Sequence, residues 1–196
     1  LNLAGISNAS ESAMVKRDIA LSEVTGAPVH IAHVSTAESV EALRAAKAIG
    51  LPVTAETAPH YFVLTDAAVK EWGTHAKMNP PLRSEKDRAA IRQGLADGTI
   101  DVIATDHAPH SDREKAVAFD QAANGIIGLE TAVSLGLTLV HADVISITDL
   151  IAKMSTEPAR ILGLECGLQP GQSADITLID PNVTYQVDVN RFKSLS

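Results

Sequence analysis

At 196 residues, with 45% hydrophobic side chains, 12 Gly and 9 Pro, the chain has the composition of a folded protein with a substantial core and not of a disordered one. Sixteen basic against 24 acidic residues give a net charge of −8 without any basic cluster that could neutralise phosphates, which argues against nucleic-acid binding. A single cysteine, Cys166, excludes an internal disulfide framework and fits a reducing cytoplasm, and no apolar stretch approaches the roughly 20 residues needed to cross a bilayer.

Glu11 to Val24 suits a helix, stopped by Thr25-Gly26 and followed by a break at Ala27-Pro28. Val29 to Val34 reads as a buried strand, in which alternation puts His33 on the face of Ile31 and His30 on the opposite one, so that the two cannot ligate one ion. His33 could be a hydrogen-bonded core histidine or a metal ligand. Its place at the strand end, just before the capping-box pattern Ser35-Thr36-Ala37-Glu38, favours the ligand. Val40, Leu43, Ala46 and Ile49 then form the apolar stripe of a helix that Gly50 and Pro52 end.

A strand follows at Val53 to Glu56. Pro59 is expected to break any helical register between Glu56 and His60, and their spacing is no specific zinc pattern, so His60 is placed near a site and not in it. Thr65 to Glu71 reads as a surface helix against which Trp72 packs, and His75 has no evident partner. Asn79-Pro80-Pro81 makes a stiff loop, because each proline restricts its predecessor and removes an amide donor. Asn79 either turns the chain or presents a fixed donor and acceptor to an amide ring. Ser84 to Asp87 looks like a helix N-terminus, with Ile91 and Leu95 facing the core and Gly98 closing the helix.

The most informative stretch is Ile100 to His110, where a short apolar run ends in Thr105-Asp106-His107-Ala108-Pro109-His110. A carboxylate at a strand end can cap a helix. In a parallel α/β sheet or barrel the same position holds catalytic acids and metal ligands, and Pro109 disfavours a helix starting here, so a rigid loop is expected. His107 should project away from Asp106 and is read as structural. Ser111 to Lys115 reads as a solvated loop. The two glycines after Asn124, Gly125 and Gly128, allow either a sharp turn or close approach of backbone to a ligand.

Thr131 to Val140 and Asp149 to Leu164 are apolar helices, the second reorganised at Pro158. From Gly167 the texture shifts, and Ala174 to Ile179 and Val183 to Val189 read as short strands. The pattern is α/β: residues 1–166 as the C-terminal portion of a (β/α)8 TIM-type barrel, then residues 167–196 as the start of a small β-sandwich domain. About three strand–helix repeats fall short of the roughly 250 residues of a closed barrel, and the chain opens at Leu1 in what reads as domain interior, so a fragment is expected.

The segment T-D-H-A-P-H resembles the last barrel strand of bacterial type I dihydroorotases, of the amidohydrolase superfamily. Four more segments fit that family in order: His33 to Thr36, Glu56 to His60, Lys77 to Arg83 and Gly125 to Thr131. The resemblance implies zinc-dependent, reversible hydrolysis of dihydroorotate to N-carbamoyl-aspartate in pyrimidine synthesis. It implies Asp106 as ligand and general acid/base, His33 as ligand of the second ion of a zinc pair, and His110, Asn79 and the Asn124-Gly125 backbone as substrate contacts. A cyclic amide resists hydrolysis because water is a weak nucleophile and nitrogen leaves poorly, and a metal ion beside a carboxylate addresses both.

The family's H-x-H pair, bridging acid and further histidine have no counterpart here, and His33 with Asp106 is fewer than the three protein ligands normal for catalytic zinc. The segment alone is therefore expected to bind zinc weakly and to be inactive. A hydantoinase, dihydropyrimidinase or allantoinase would share the metal logic. A non-catalytic dihydroorotase-like subunit supporting aspartate transcarbamoylase is the alternative from another class, and a homodimer is also compatible with the resemblance. The partner expected is a small molecule, with no nucleic acid and no membrane. Cys166 has no assigned role.

Overall fold

The computed structural model describes residues 3–194. Three β/α units carry the architecture. Helix α1 (Asn8–Thr25) leads into strand β1 (Val29–Ile31), α2 (Ala37–Ala48) and β2 (Val53–Thr57). Three helices, α3 (Pro59–Val63), α4 (Ala68–Trp72) and α5 (Glu85–Ala96), connect β2 to β3 (Val102–Ile103). The strands form one parallel sheet in the order β1-β2-β3, with Val29 opposite Val53 and Glu56 opposite Val102. Parallel neighbours joined through helices are the repeating unit of an α/β barrel, and in such a sheet every connection returns the chain to the same end. The three strands therefore stop on a common rim.

Local sequence explains the helix ends. Ser7 caps α1 and Gly26, at φ 70°, terminates it, while Ser84 and Asp87 form a reciprocal capping box on α5. Val40, Leu43 and Ala46 of α2 and Ile91 and Leu95 of α5 are buried as their spacing predicts, with Ile100 beside them, whereas Ile49, expected in the α2 stripe, is 68% exposed past the helix end. Beneath the strands, Lys47 pairs with Asp101 at 2.6 Å, and the buried Lys153 donates to the Ile100 carbonyl at 2.6 Å.

Several expectations are corrected. The α2 cap is Thr36 and not Ser35, because Ser35 is taken by the Glu11 carboxylate and by Arg83. Residues 111–115 contain a short helix, α6 (Asp112–Lys115), with its own capping box and a buried Lys115 where a solvated loop is expected. The C-terminal helical region is α7 (Ala132–His141), α8 (Ile147–Ile151), a π-helical segment at 152–156 and α9 (Glu157–Leu162). Pro158 lies in the first turn of α9, where its missing N–H is harmless, and the ladder is rerouted in the residues before it. Residues 174–179 and 183–189, expected as strands, have no ladder partner among the described residues. An extended segment becomes a strand only when a neighbour takes up its N–H and C=O groups. The last two residues of the expected 167–196 domain lie outside the described residues.

A candidate active site at the strand ends

Each of the three strands delivers a potential ligand or acid to the rim. His33 follows β1 and Asp106 follows β3, and both adopt left-handed backbone, φ 56° and 46°. A non-glycine residue there costs on the order of 1–3 kcal/mol and persists only when its surroundings enforce it. For His33 the enforcement is visible. Glu11 in the first turn of α1 accepts from the Ser35 and Thr36 amides at 3.0 and 3.1 Å, and Arg83 binds the Ser35 hydroxyl at 3.1 Å and the Ile6 carbonyl at 2.6 Å.

Glu56 at the end of β2 gathers two imidazoles. Its Oε2 lies 3.3 Å from His30 Nε2, and its Oε1 lies 3.2 Å from His33 Nδ1, close but without hydrogen-bond geometry. Strict alternation would have separated the two histidines. β1 stops at Ile31, however, and the left-handed turn at His33 swings its ring back to the side of His30. Burial works to raise Glu56, but His30 and His33 outweigh it and hold the carboxyl at about 2. In return Glu56, ahead of the opposing cost of burial, raises His33 above the ordinary histidine value.

His60, expected near the site, lies at the rim itself. Pro59 does not break a helix here; it starts one, as the N-terminal residue of α3, and the turn carries His60 into the rim. Its Nε2 is buried without a hydrogen-bond partner, 3.7 Å from Asp106 Oδ2, while His33 Nε2 lies 3.9 Å from Asp106 Oδ1. Burial, then the neighbouring His33, lowers His60 to about 4, so its ring is neutral near pH 7. Asp106 is raised, first by burial and then by Glu56, against the pull of His33. The local signal for His60 is Pro59, which starts a helical turn just past the end of β2.

This donor set suits a divalent metal in kind. An unpartnered buried imidazole nitrogen costs free energy unless it meets a proton donor or an ion, and two imidazoles flanking one carboxylate are zinc-type ligands. Among the described residues no three such side chains already converge in ligating geometry.

The expected substrate contacts are distributed differently. Asn79 is exposed on a hollow it shares with His30 and Arg83. His110 Nε2 lies 2.9 Å from the Asn124 carbonyl, and His110 and His107 border a second hollow of about 620 Å³. The Gly125 amide is committed to the Lys77 carbonyl at 3.0 Å. Gly125, at φ 134°, and Gly128 are required by packing: a Cβ at either would come within 2.5 Å of Ala108 Cβ or the Thr105 carbonyl. His107 Nδ1 accepts from the Gly128 and Leu129 amides at 3.0 and 3.3 Å, which fastens this loop to the one carrying Asp106.

Residues 7–195 match the amidohydrolase family. The chain is similar to the dihydroorotase of Desulforapulum autotrophicum, with 60% identity covering 100% of this chain and 46% of that protein. It is similar to the dihydroorotase of Acetivibrio thermocellus at 55% identity, again over 100% of this chain and 46% of the relative. The chain thus spans about half the length, 46%, of these curated relatives. Among solved structures, the D-hydantoinase (dihydropyrimidinase) from Thermus sp. superposes with a TM-score of 0.73 at 29% identity, covering 79% of this chain and 35% of that one. The L-hydantoinase (dihydropyrimidinase) from Arthrobacter aurescens gives 0.73 at 28% identity, covering 78% and 35%. Among the described residues no helix is long and apolar enough to cross a membrane.

Proposed function

The chain belongs to the amidohydrolase family, and from that membership we propose that it supplies part of the active site of a zinc-dependent dihydroorotase. The reaction is the reversible opening of dihydroorotate to N-carbamoyl-aspartate in pyrimidine synthesis. The observation that carries the reading is the Asp106 carboxylate between two imidazoles, His33 and His60, on the rim where three parallel strands end. His33, His60 and Asp106 would hold the metal. When bound, the ion would polarise the substrate carbonyl and make water more acidic.

Asp106 performs the proton work. Hydrolysis forms a bond from water oxygen to the ring carbonyl carbon and breaks the ring C–N bond, so one proton must leave the water and one must reach the nitrogen. A carboxylate raised by burial is a stronger base than an exposed one, so Asp106 is suited to accept the first proton and hand it to the nitrogen. Glu56, held ionised, orients His33. Asn79 offers a donor and an acceptor to the ring, His110 faces the substrate carboxylate, and the Asn124-Gly125 segment shapes the wall beside it.

Dihydroorotate is preferred over other cyclic amides because the dihydroorotase relatives reach 55–60% identity. The likeness to solved hydantoinases supports a second reading, a hydantoinase or dihydropyrimidinase. Turnover of dihydroorotate, hydantoin, allantoin and dihydrouracil by the complete protein separates the readings, and no turnover of any of them by protein loaded with zinc favours a non-catalytic subunit of aspartate transcarbamoylase. Replacement Asp106→Ala should lower kcat/KM for dihydroorotate by about 100- to 10,000-fold. Retained ring opening in that variant would sink the mechanism.

A further inference from the structure

Lys115 is 5% exposed, and its ammonium donates to the carbonyls of Thr74, Lys77 and Ala123 at 3.3, 3.1 and 3.0 Å. Among the described residues no carboxylate acts on it, and the neighbouring charge is the like charge of Lys77. Three donors meeting three carbonyls satisfy the hydrogen bonding of a lysine completely, but a buried cation without a counter-charge is a costly way merely to fill space. The acceptors belong to two separate loops. One runs through Lys77 to Asn79, and the other runs through Ala123 to Asn124-Gly125.

Further contacts fix the same junction. Gly125 donates to the Lys77 carbonyl at 3.0 Å, and Lys77 reaches back to the Ala122 carbonyl at 2.6 Å. The Thr74 hydroxyl donates to the Lys115 carbonyl at 2.6 Å. α6, which presents Lys115, also places Glu114 Oε1 3.5 Å from His110 Nδ1.

We propose that Lys115 is a positioning residue for substrate binding: its ammonium clamps the Asn79 loop to the Asn124-Gly125 loop and thereby sets the spacing of the groups that grip the substrate. The inference rests on the reading that these loops contact dihydroorotate. Among the described residues the Lys115 ammonium hydrogen-bonds only backbone carbonyls.

The test uses the complete enzyme, comparing Lys115→Met, Lys115→Arg, Lys153→Met and Asn79→Ala. Lys115→Met should raise KM for dihydroorotate about tenfold with kcat within about twofold, and speed hydrogen exchange of the Gly125 amide about tenfold. Lys115→Arg keeps charge and donors and should recover part of the loss. Lys153 is also buried but bonds Ile100 at the far end of the strands, so Lys153→Met should lower Tm without moving KM. If Lys115→Met does not fold, Lys115→Arg decides, because its planar fork fits three carbonyls poorly and should still raise KM. Wild-type KM and Gly125 exchange in the folded Lys115 variants would overturn the clamp, as would a KM rise that Lys153→Met matches at equal loss of Tm. Faster Gly125 exchange in Lys115→Met together with an unchanged KM in Asn79→Ala would keep the clamp but refute the substrate role of the loop, and the positioning claim with it.

Discussion

Glu56 answers to two histidines at once, and its ionised state is what lets it hold them. The carboxyl is kept at about 2, so it carries full charge at any pH where the protein would work. Glu56→Gln retains the shape but loses that charge, so His33 would be less firmly oriented. The expected outcome in the complete protein is zinc affinity weakened by about tenfold to a hundredfold, read by competition with a chelator. Unchanged affinity would show that His33 is fixed by its backbone turn alone. His33 and Asp106 stand out in the sequence because they end strands, whereas the spacing of His60 from Glu56 carries no trace of the helical turn that Pro59 begins. A charged run is usually solvated, and nothing in Ser111 to Lys115 itself signals that its one lysine is enclosed by two distant loops.

Among the elements, the starts of three helices meet at Asp87. Its Oδ1 accepts from the Ala37 amide at the head of α2, at 2.9 Å, and from Asn8 at the head of α1, at 3.0 Å, while Oδ2 closes the Ser84 capping box of α5. Burial alone would raise this carboxyl, but the Ala37, Ser84 and Asn8 hydrogen bonds prevail and lower it below the usual 3.8. Because the folded value is the lower one, the stabilisation is fully present above the unfolded carboxyl range and is lost as pH falls through the folded value. Asp87→Asn should cost about 1–3 kcal/mol in urea unfolding at pH 7. The gap between variant and wild type should narrow in strong acid, and a gap that stays constant with pH would contradict the ionic origin. The capping box was legible in Ser84 to Asp87, but its link to α1 and α2 spans 79 and 50 residues of chain and has no local signature.

At the scale of the molecule, the sheet has two outer strands, β1 and β3, whose outer edges have no partner strand among the described residues. Beyond residue 163, Leu164, Leu168, Leu178 and Val183 are all more than half exposed. Unpaired edges and exposed apolar side chains favour association. The 196-residue chain on its own is therefore expected to elute in light-scattering chromatography as associated species, and a monodisperse monomer would show that its edges are protected. We propose the division near residue 166 on the same grounds, since most of the apolar side chains among the described residues that follow are exposed and would become sandwich strands only with partners.

The sequence by itself determined the α/β pattern, the Gly26 stop of α1, the Ser84 start of α5 and the strand-end placement of His33 and Asp106, because hydrophobic period, capping residues and proline act over a few neighbouring positions. Tertiary structure alone decided that His30 and His33 meet on Glu56, that His60 flanks Asp106, and that one lysine fastens two loops. Those outcomes depend on left-handed turns and on contacts between segments tens of residues apart, where small changes of backbone direction redirect a side chain completely.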